Sequence, residues 1–362
     1  MPEAETRRHV FWILLVGVAI VGMAGIAELA ARLAGGRPAA FLFSHSFRDR
    51  QTDWDVTYGV TASRQRVTCH PSSPAKTTRK FAVIGDSFVF GQGVADCRDL
   101  TSRLASFITD GTFVNFGIGG VGIEIYRQVV EDMLGPDITD VVILFYGNDI
   151  SESFRTKSFV GKLADKSSAF ALLRKIKRTI LDPYLHPEFP DWRAMEKAEP
   201  RWNNIAFVVG REPDYFAQVA DPAAANIERF GEEFSGLVAT LETVVPKNRI
   251  WIAVVPEATS VSPAIRGWVT ELGGAVPPFG KAGSGYRTIE ALAREAGVNF
   301  VDLFPSFRCR GDGAYFPHDL HWSEEGHRLA AGIIARALGA PLASQTGTDS
   351  IYQCVNATNL PE

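Results

Sequence analysis

Cysteine and methionine are both scarce, at 4 residues each in a chain of 362. None of Cys69, Cys97, Cys309 and Cys354 stands in a CxxC or other metal-type spacing, so no metal site is read from them. Their even number leaves two readings open. One is a disulfide framework, with Cys69–Cys97 and Cys309–Cys354 as the sequence-nearest pairing; the other is four free thiols in a reducing compartment. An excess of positive charge is also lacking. With 37 Lys and Arg against 41 Asp and Glu the net charge is −4, which excludes nucleic acid as an expected partner, because such binding needs a basic face that releases counterions. No internal repeat is present. What remains is 46% hydrophobic and 22% charged residues, ordinary globular composition with enough apolar mass for one large core or two smaller ones.

Residues 10–27, VFWILLVGVAIVGMAGIA, carry no charge over 18 positions. As a helix they extend about 27 Å, close to the ~30 Å of a bilayer core. An uncleaved transmembrane anchor is the first expectation. A signal peptide cleaved near Gly25-Ile26-Ala27 and a buried core helix are the alternatives. Arg7 and Arg8 precede the run while Arg32 and Arg37 follow it, so counting basic residues does not orient the span. A long following domain and the even cysteine count favour an outside body, which predicts a single-pass protein of the inner membrane with its main domain in the periplasm.

Residues 1–34 thus read as tail and anchor, 35–79 as a linker with some packed turns, 80–340 as the main domain and 341–362 as a tail. Within the main domain, short apolar runs at 81–85, 113–116, 140–145, 249–255 and 299–303 read as strands buried on both faces. Helical patterns lie between and after them at 100–108, 122–134, 227–244, 287–296 and 324–338. This alternation predicts an α/β fold, a parallel sheet covered by helices on both faces. One interruption, 151–224, is far longer than a crossover needs. It includes SSAFALLRKIKRTILDPYL, whose apolar and basic residues fit either a helix packed on its own domain or one lying on an anionic membrane surface. Set above the sheet's carboxyl edge, such an insertion would form a lid or wall.

That edge is where ligands bind in open parallel sheets. The first strand runs straight into Gly85-Asp86-Ser87, and a serine hydroxyl becomes a nucleophile only beside a base. Of 7 histidines, His9 precedes the apolar run, His45 and His70 lie in the linker and His186 in the insertion. The other three stand in YFPHDLHWSEEGHRLA, after the fifth strand. Asp319-Leu320-His321 is the favoured group there, because a carboxylate two residues before an imidazole can fix its tautomer and leave the other nitrogen as base. His318 adjoins Pro317 and His327 falls inside the last helix, so both read as structural. Two more strand ends offer donors for a developing oxyanion: the glycine turn of VNFGIGGVG, and the Asn148 amide in FYGNDISES. Singly these are weak signals, for a glycine turn is mostly a turn and Asn-Asp mostly a cap.

Four such elements in order, each after its own strand, resemble the SGNH (GDSL-type) hydrolase superfamily. The blocks are Gly85-Asp86-Ser87-Phe88, Asn115-Phe116-Gly117-Ile118-Gly119-Gly120, Gly147-Asn148-Asp149 and Asp319-Leu320-His321. The resemblance implies a flavodoxin-like three-layer α/β/α sandwich. It also implies Ser87 as nucleophile, His321 as base and Asp319 as its orienter, with an oxyanion hole of the Ser87 N–H, the Gly120 N–H and the Asn148 amide. It implies no metal or organic cofactor. Two departures stand out. The last block is Asp-x-His followed by Trp322 where Asp-x-x-His is usual, a form similar to alginate O-acetylation proteins, and the third reads Tyr146-Gly147-Asn148-Asp149 where Gly-x-Asn-Asp is more common. The expected activity is therefore that of an extracytoplasmic esterase removing acetyl or other small acyl groups from a glycan or lipid. An O-acyltransferase of envelope polysaccharide and a catalytically silent envelope binding protein are the alternatives. Oligomeric state is left open.

Overall fold

The structure is a computed structural model, and it describes residues 46–61, 65–70, 79–151 and 204–339. The apolar run 10–27, the basic amphipathic stretch of the insertion and the tail 341–362 lie outside the described residues. Among the described residues no helix is long and apolar enough to cross a membrane.

Seven strands are described. β1 (Ser46–Arg50) and β2 (Asp55–Gly59) form an antiparallel hairpin. β3 (Arg79–Gly85), β4 (Gly111–Gly117), β5 (Asp140–Phe145), β6 (Ile250–Val254) and β7 (Asn299–Val301) form a parallel sheet of order β4-β3-β5-β6-β7. The five expected strands are these five. They form where the sequence is apolar on both faces: Phe81, Ala82, Val83 and Ile84 of β3 are fully buried, as are all six residues of β5. A strand buried on both sides needs cover on both sides, and helices supply it.

The helices are α1 (Ser87–Phe90), α2 (Leu100–Phe107), α3 (Ile123–Met133), α4 (Asn148–Ser151), α5 (Asn204–Arg211), α6 (Tyr215–Ala220), α7 (Ala224–Glu242), α8 (Ala258–Val261), α9 (Pro263–Glu271), α10 (Ser284–Ala296), α11 (Phe304–Arg310) and α12 (Glu324–Ala337). The chain steps from β3 to β4 in one direction and from β4 across to β5 in the other. Right-handed crossovers therefore put α2 on one face and α3, α7 and α10 on the opposite one. The packing agrees: α12 returns to lie on α2, while α7 touches both α3 and α10. The strand order is the doubly wound, flavodoxin-like one, with its switch point between β3 and β5.

Two stretches are more structured than their sequence suggests. The segment expected as a linker carries the β1–β2 hairpin, whose Trp54 and Tyr58 are buried, and an Arg66 that is 1% exposed. Cys69, in the same segment, is disulfide-bonded to Cys97, with Cα atoms 5.0 Å apart. Cys309 is also disulfide-bonded, and Cys354, its expected partner, lies outside the described residues. At the end of the long interruption, residues 204–220 fold as α5 and α6.

Candidate active site

Ser87 stands where β3 turns into α1. The Asp86 side chain caps that turn, accepting from the Phe88 N–H at 2.9 Å, and Ser87 is 8% exposed. The far end of α1 is held by Arg66, which donates to the carbonyls of Phe90 (2.8 Å), Gly91 (2.5 Å) and Val94 (2.7 Å). A buried guanidinium on the last carbonyls of a helix satisfies orphan acceptors and complements the helix dipole. β4 comes equally close. A Cβ on Gly117 would sit 2.0 Å from the Phe90 backbone nitrogen, so only glycine fits there. The neighbouring Asn115 is a brace, donating to the Val89 carbonyl at 2.8 Å and accepting from the Gly117 N–H at 2.9 Å.

The imidazole that faces Ser87 comes from the loop before α12. His321 Nε2 lies 2.8 Å from Ser87 Oγ, and His321 Nδ1 lies 2.5 Å from Asp319 Oδ1. An ionised carboxylate only accepts, so Nδ1 carries the proton and Nε2 is left to accept from the serine hydroxyl. The one-residue spacing of Asp-x-His lets the same carboxylate oxygen also accept the His321 backbone N–H, at 2.8 Å. Asp319 Oδ2 accepts from the Asn204 side-chain amide of α5. Burial disfavours charge on Asp319, but His321 and these hydrogen bonds outweigh it and hold the carboxyl below its ordinary range. Burial likewise pushes His321 toward neutrality, and Asp319, helped by Asp86 and Asp49, more than offsets this and raises the imidazole above its ordinary value. The pair is thus an ionised carboxylate steadying a moderately basic imidazole.

Trp322, the residue that marks the last block, points into the core. It is fully buried, with ring centroids 5.2 Å from Phe88, 5.0 Å from Phe307 and 5.5 Å from His327. Together with the bridge between Tyr315 and Trp322, it anchors the loop that carries His321. Phe88 lies 5.1 Å from the His321 ring, and Trp54 of the hairpin stands edge-on to it at 6.4 Å.

Gly120 and Asn148 follow β4 and β5, the two strands flanking β3, so both expected oxyanion donors occupy the edge that carries Ser87. The β4 loop is tied to β3 by the Ile118 N–H donating to the Gly85 carbonyl at 3.0 Å. A Cβ on Gly119 would come 3.9 Å from that of Ser87, and Gly120 is exposed with φ of 71°. Asn148 opens α4, in a turn fixed by Asp149, which accepts from the Tyr146 N–H (2.8 Å) and the Tyr126 hydroxyl (3.0 Å). Among the described residues no group of three or more His, Cys, Asp and Glu is placed to hold a metal ion.

His318 and His327 stand outside this relay, as expected of structural histidines. Asp53 holds His318 by Nδ1 at 2.7 Å and by its backbone N–H at 2.9 Å. His327 is buried beneath Trp322, and desolvation drives its imidazole far below the ordinary value. His70 Nε2 accepts the Phe113 N–H at 2.9 Å, while His9, His45 and His186 lie outside the described residues. Sequence reasoning missed Asn204, Asp53 and Trp54. For Asn204 the one available signal is an Asn before the apolar run Ile205–Val209, a helix start, and this gives no hint of its partner.

A serine, an imidazole and a carboxylate joined in sequence at the switch point of a parallel α/β sheet define a serine acyl hydrolase in class. The chain belongs to the GDSL-like lipase/acylhydrolase family, whose family model matches residues 83–329, and so to the SGNH hydrolase superfamily. Among solved structures it is similar to a member of the lipolytic protein G-D-S-L family from Veillonella parvula DSM 2008, at 12% identity and a TM-score of 0.40, covering 73% of this chain and 100% of that one. It is also similar to the acetylxylan esterase Axe2 from Geobacillus stearothermophilus, at 14% identity and a TM-score of 0.40, covering 75% and 98%. No curated protein matches the chain by sequence.

Proposed function

We propose that the protein is a serine esterase working by two-step acyl transfer outside the cytoplasm, on an acylated glycan or lipid carrying acetyl or another small acyl group. Ser87 Oγ attacks the ester carbonyl while His321 Nε2 takes its proton. The tetrahedral oxyanion rests on the N–H groups of Ser87 and Gly120 and on the Asn148 amide. His321 then protonates the leaving alcohol, and water resolves the acyl-enzyme by the same steps in reverse order. The observation that carries this reading is the continuous chain from Ser87 Oγ through His321 to Asp319, at 2.8 and 2.5 Å.

An oxidising compartment is supported by the Cys69–Cys97 disulfide, and membrane attachment by the apolar run 10–27. An acyltransferase is favoured by the apolar run 10–27 together with the Asp-x-His-Trp form, but Trp322 itself is sealed in the core, where its packing role requires no particular acceptor. The test is fluorophosphonate labelling together with acetyl release from p-nitrophenyl acetate and a panel of acetylated glycans. The wild-type protein is expected to label and turn over and Ser87→Ala to do neither; a folded wild-type protein that resists labelling overturns the proposal. Acyl-enzyme that accumulates and is discharged faster by added oligosaccharide would establish transfer in place of hydrolysis.

A further inference from the structure

The Asp319 carboxylate has two oxygens, and His321 occupies one of them. Oδ1 accepts both the ring Nδ1–H and the backbone N–H of His321. Asp319 is 2% exposed, so Oδ2 has no access to bulk water and needs a donor from the protein. That donor is the side-chain amide of Asn204, which lies 115 residues earlier in the chain, at the first residue of α5. The next residue grips the same loop, with the Ile205 N–H donating to the His318 carbonyl at 3.4 Å.

We propose that Asn204 is the fourth member of the relay, a positioning residue that acts on the reaction through Asp319. This rests on the reading of Ser87, His321 and Asp319 as the catalytic relay. The amide has two effects. It fixes the plane of the carboxylate, so that Oδ1 faces Nδ1 and the imidazole keeps Nε2 on Ser87 Oγ. It also draws part of the negative charge toward Oδ2, which moderates how strongly Oδ1 stabilises the imidazolium. Without it Oδ2 is buried and unpaired, charge concentrates on Oδ1, and the carboxylate is held from one side only. The end of the long interruption thereby reaches the chemistry without touching the reacting atoms.

Removing a hydrogen bond to a charged group is worth about 10-fold or more in rate when the bond is expressed in the transition state. Asn204→Leu and Asn204→Ala are expected to lower kcat on p-nitrophenyl acetate by that factor, with KM within about twofold of wild type because no substrate contact is lost. In the full chain, ¹⁵N-imidazole NMR should find His321 titrating higher in both variants, by about half a pH unit or more. The His321 signal is the one absent from His321→Gln. Asn204→Gln, which keeps an amide donor, is expected to restore most of kcat and the wild-type titration. Folded Leu and Ala variants with wild-type kcat and an unmoved His321 titration overturn the proposal, and so does a loss confined to KM. Since the titration is read without turnover, it tests Asn204 separately from function: failure of wild-type protein to label at Ser87 refutes the esterase reading, not the contact.

Discussion

At the scale of single residues, the relay makes its sharpest statement through pH. His321 must be neutral at Nε2 to take the serine proton, and Asp319 raises its affinity for a proton above the ordinary imidazole value. Activity is therefore expected to rise with pH along an acid limb centred above ~6.5 and then to level off. A kcat/KM profile from pH 5 to 9 checks this, and a flat profile with chemistry rate-limiting would remove His321 as base. Asp319→Asn loses both the charge and the tautomer control, with an expected drop in kcat of about 10⁴-fold. Asn148→Ala removes one of the proposed oxyanion donors, so kcat should fall about 10²- to 10³-fold while KM changes little. Of these residues, Ser87, His321 and Asp319, which the structure joins by hydrogen bonds, were legible in the sequence, because each sits at a strand end or within a two-residue spacing, while Gly120 was singled out by the family resemblance. Asn204 was not. Its meaning is a contact across 115 positions, and nothing local to an asparagine at a helix start tells what its amide will face.

At the scale of elements, the same contrast separates the core from its buttresses. β3 to β7 declare themselves by runs such as Phe81-Ala82-Val83-Ile84, since burial on both faces leaves few polar positions, such as Asn115 and Asp140, to blur the signal. β1, Ser-Phe-Arg-Asp-Arg, is mostly polar and reads as loop. Its hairpin is held by side-chain pairings, two within the hairpin and one to a distant loop. Asp49 accepts from the Trp54 indole N–H and the Tyr58 hydroxyl, both at 3.0 Å, and Asp53 reaches His318 across 265 positions. The hairpin is thus part of the site, since Trp54 backs the His321 ring and lies 4.9 Å from Phe316. Trp54→Ala should cost about 3–5 kcal/mol in stability, and kcat should fall because the imidazole loses one supporting face. Urea unfolding and steady-state kinetics on the same preparation would separate the two effects; unchanged kcat in the folded variant would reduce the hairpin to a cover. Arg66 joins this layer to the nucleophile's helix, and Arg66→Met, which strands the Phe90, Gly91 and Val94 carbonyls, should destabilise by at least about 2–4 kcal/mol.

At the scale of the whole molecule, two buried histidines oppose each other in their effect on stability. His321 binds its proton more tightly folded than unfolded, so its contribution is full below the unfolded value of ~6.5 and is lost as pH rises through the higher folded value. His327 does the reverse. Sealed under Trp322, it resists protonation in the folded state, so its contribution is full above ~6.5 and drains away as pH falls. Asp319, held below the ordinary carboxyl range, adds a loss only at lower pH, below ~3.9. Buried Glu257, whose carboxyl desolvation raises to about 7, acts against His327: it takes up its proton first in the folded state, so stability rises as pH falls from about 7 to ~4.3. Below ~6.5 the profile is therefore the sum of a loss from His327 and a gain from Glu257, and the loss from Asp319 follows at lower pH. His327→Leu keeps the volume of the site roughly constant and cannot be protonated. Relative to wild type it should gain stability as pH falls from ~6.5 to ~5, because the His327 loss is removed and the Glu257 gain is kept, while the acid limb of activity stays in place because that limb belongs to His321. Urea midpoints across this range for wild type and variant decide the matter. Profiles of equal slope in both would mean that His327 contributes nothing in this range. An activity limb that moves with His327→Leu would mean that the two imidazoles are coupled, through their charges or through Trp322 packed against His327.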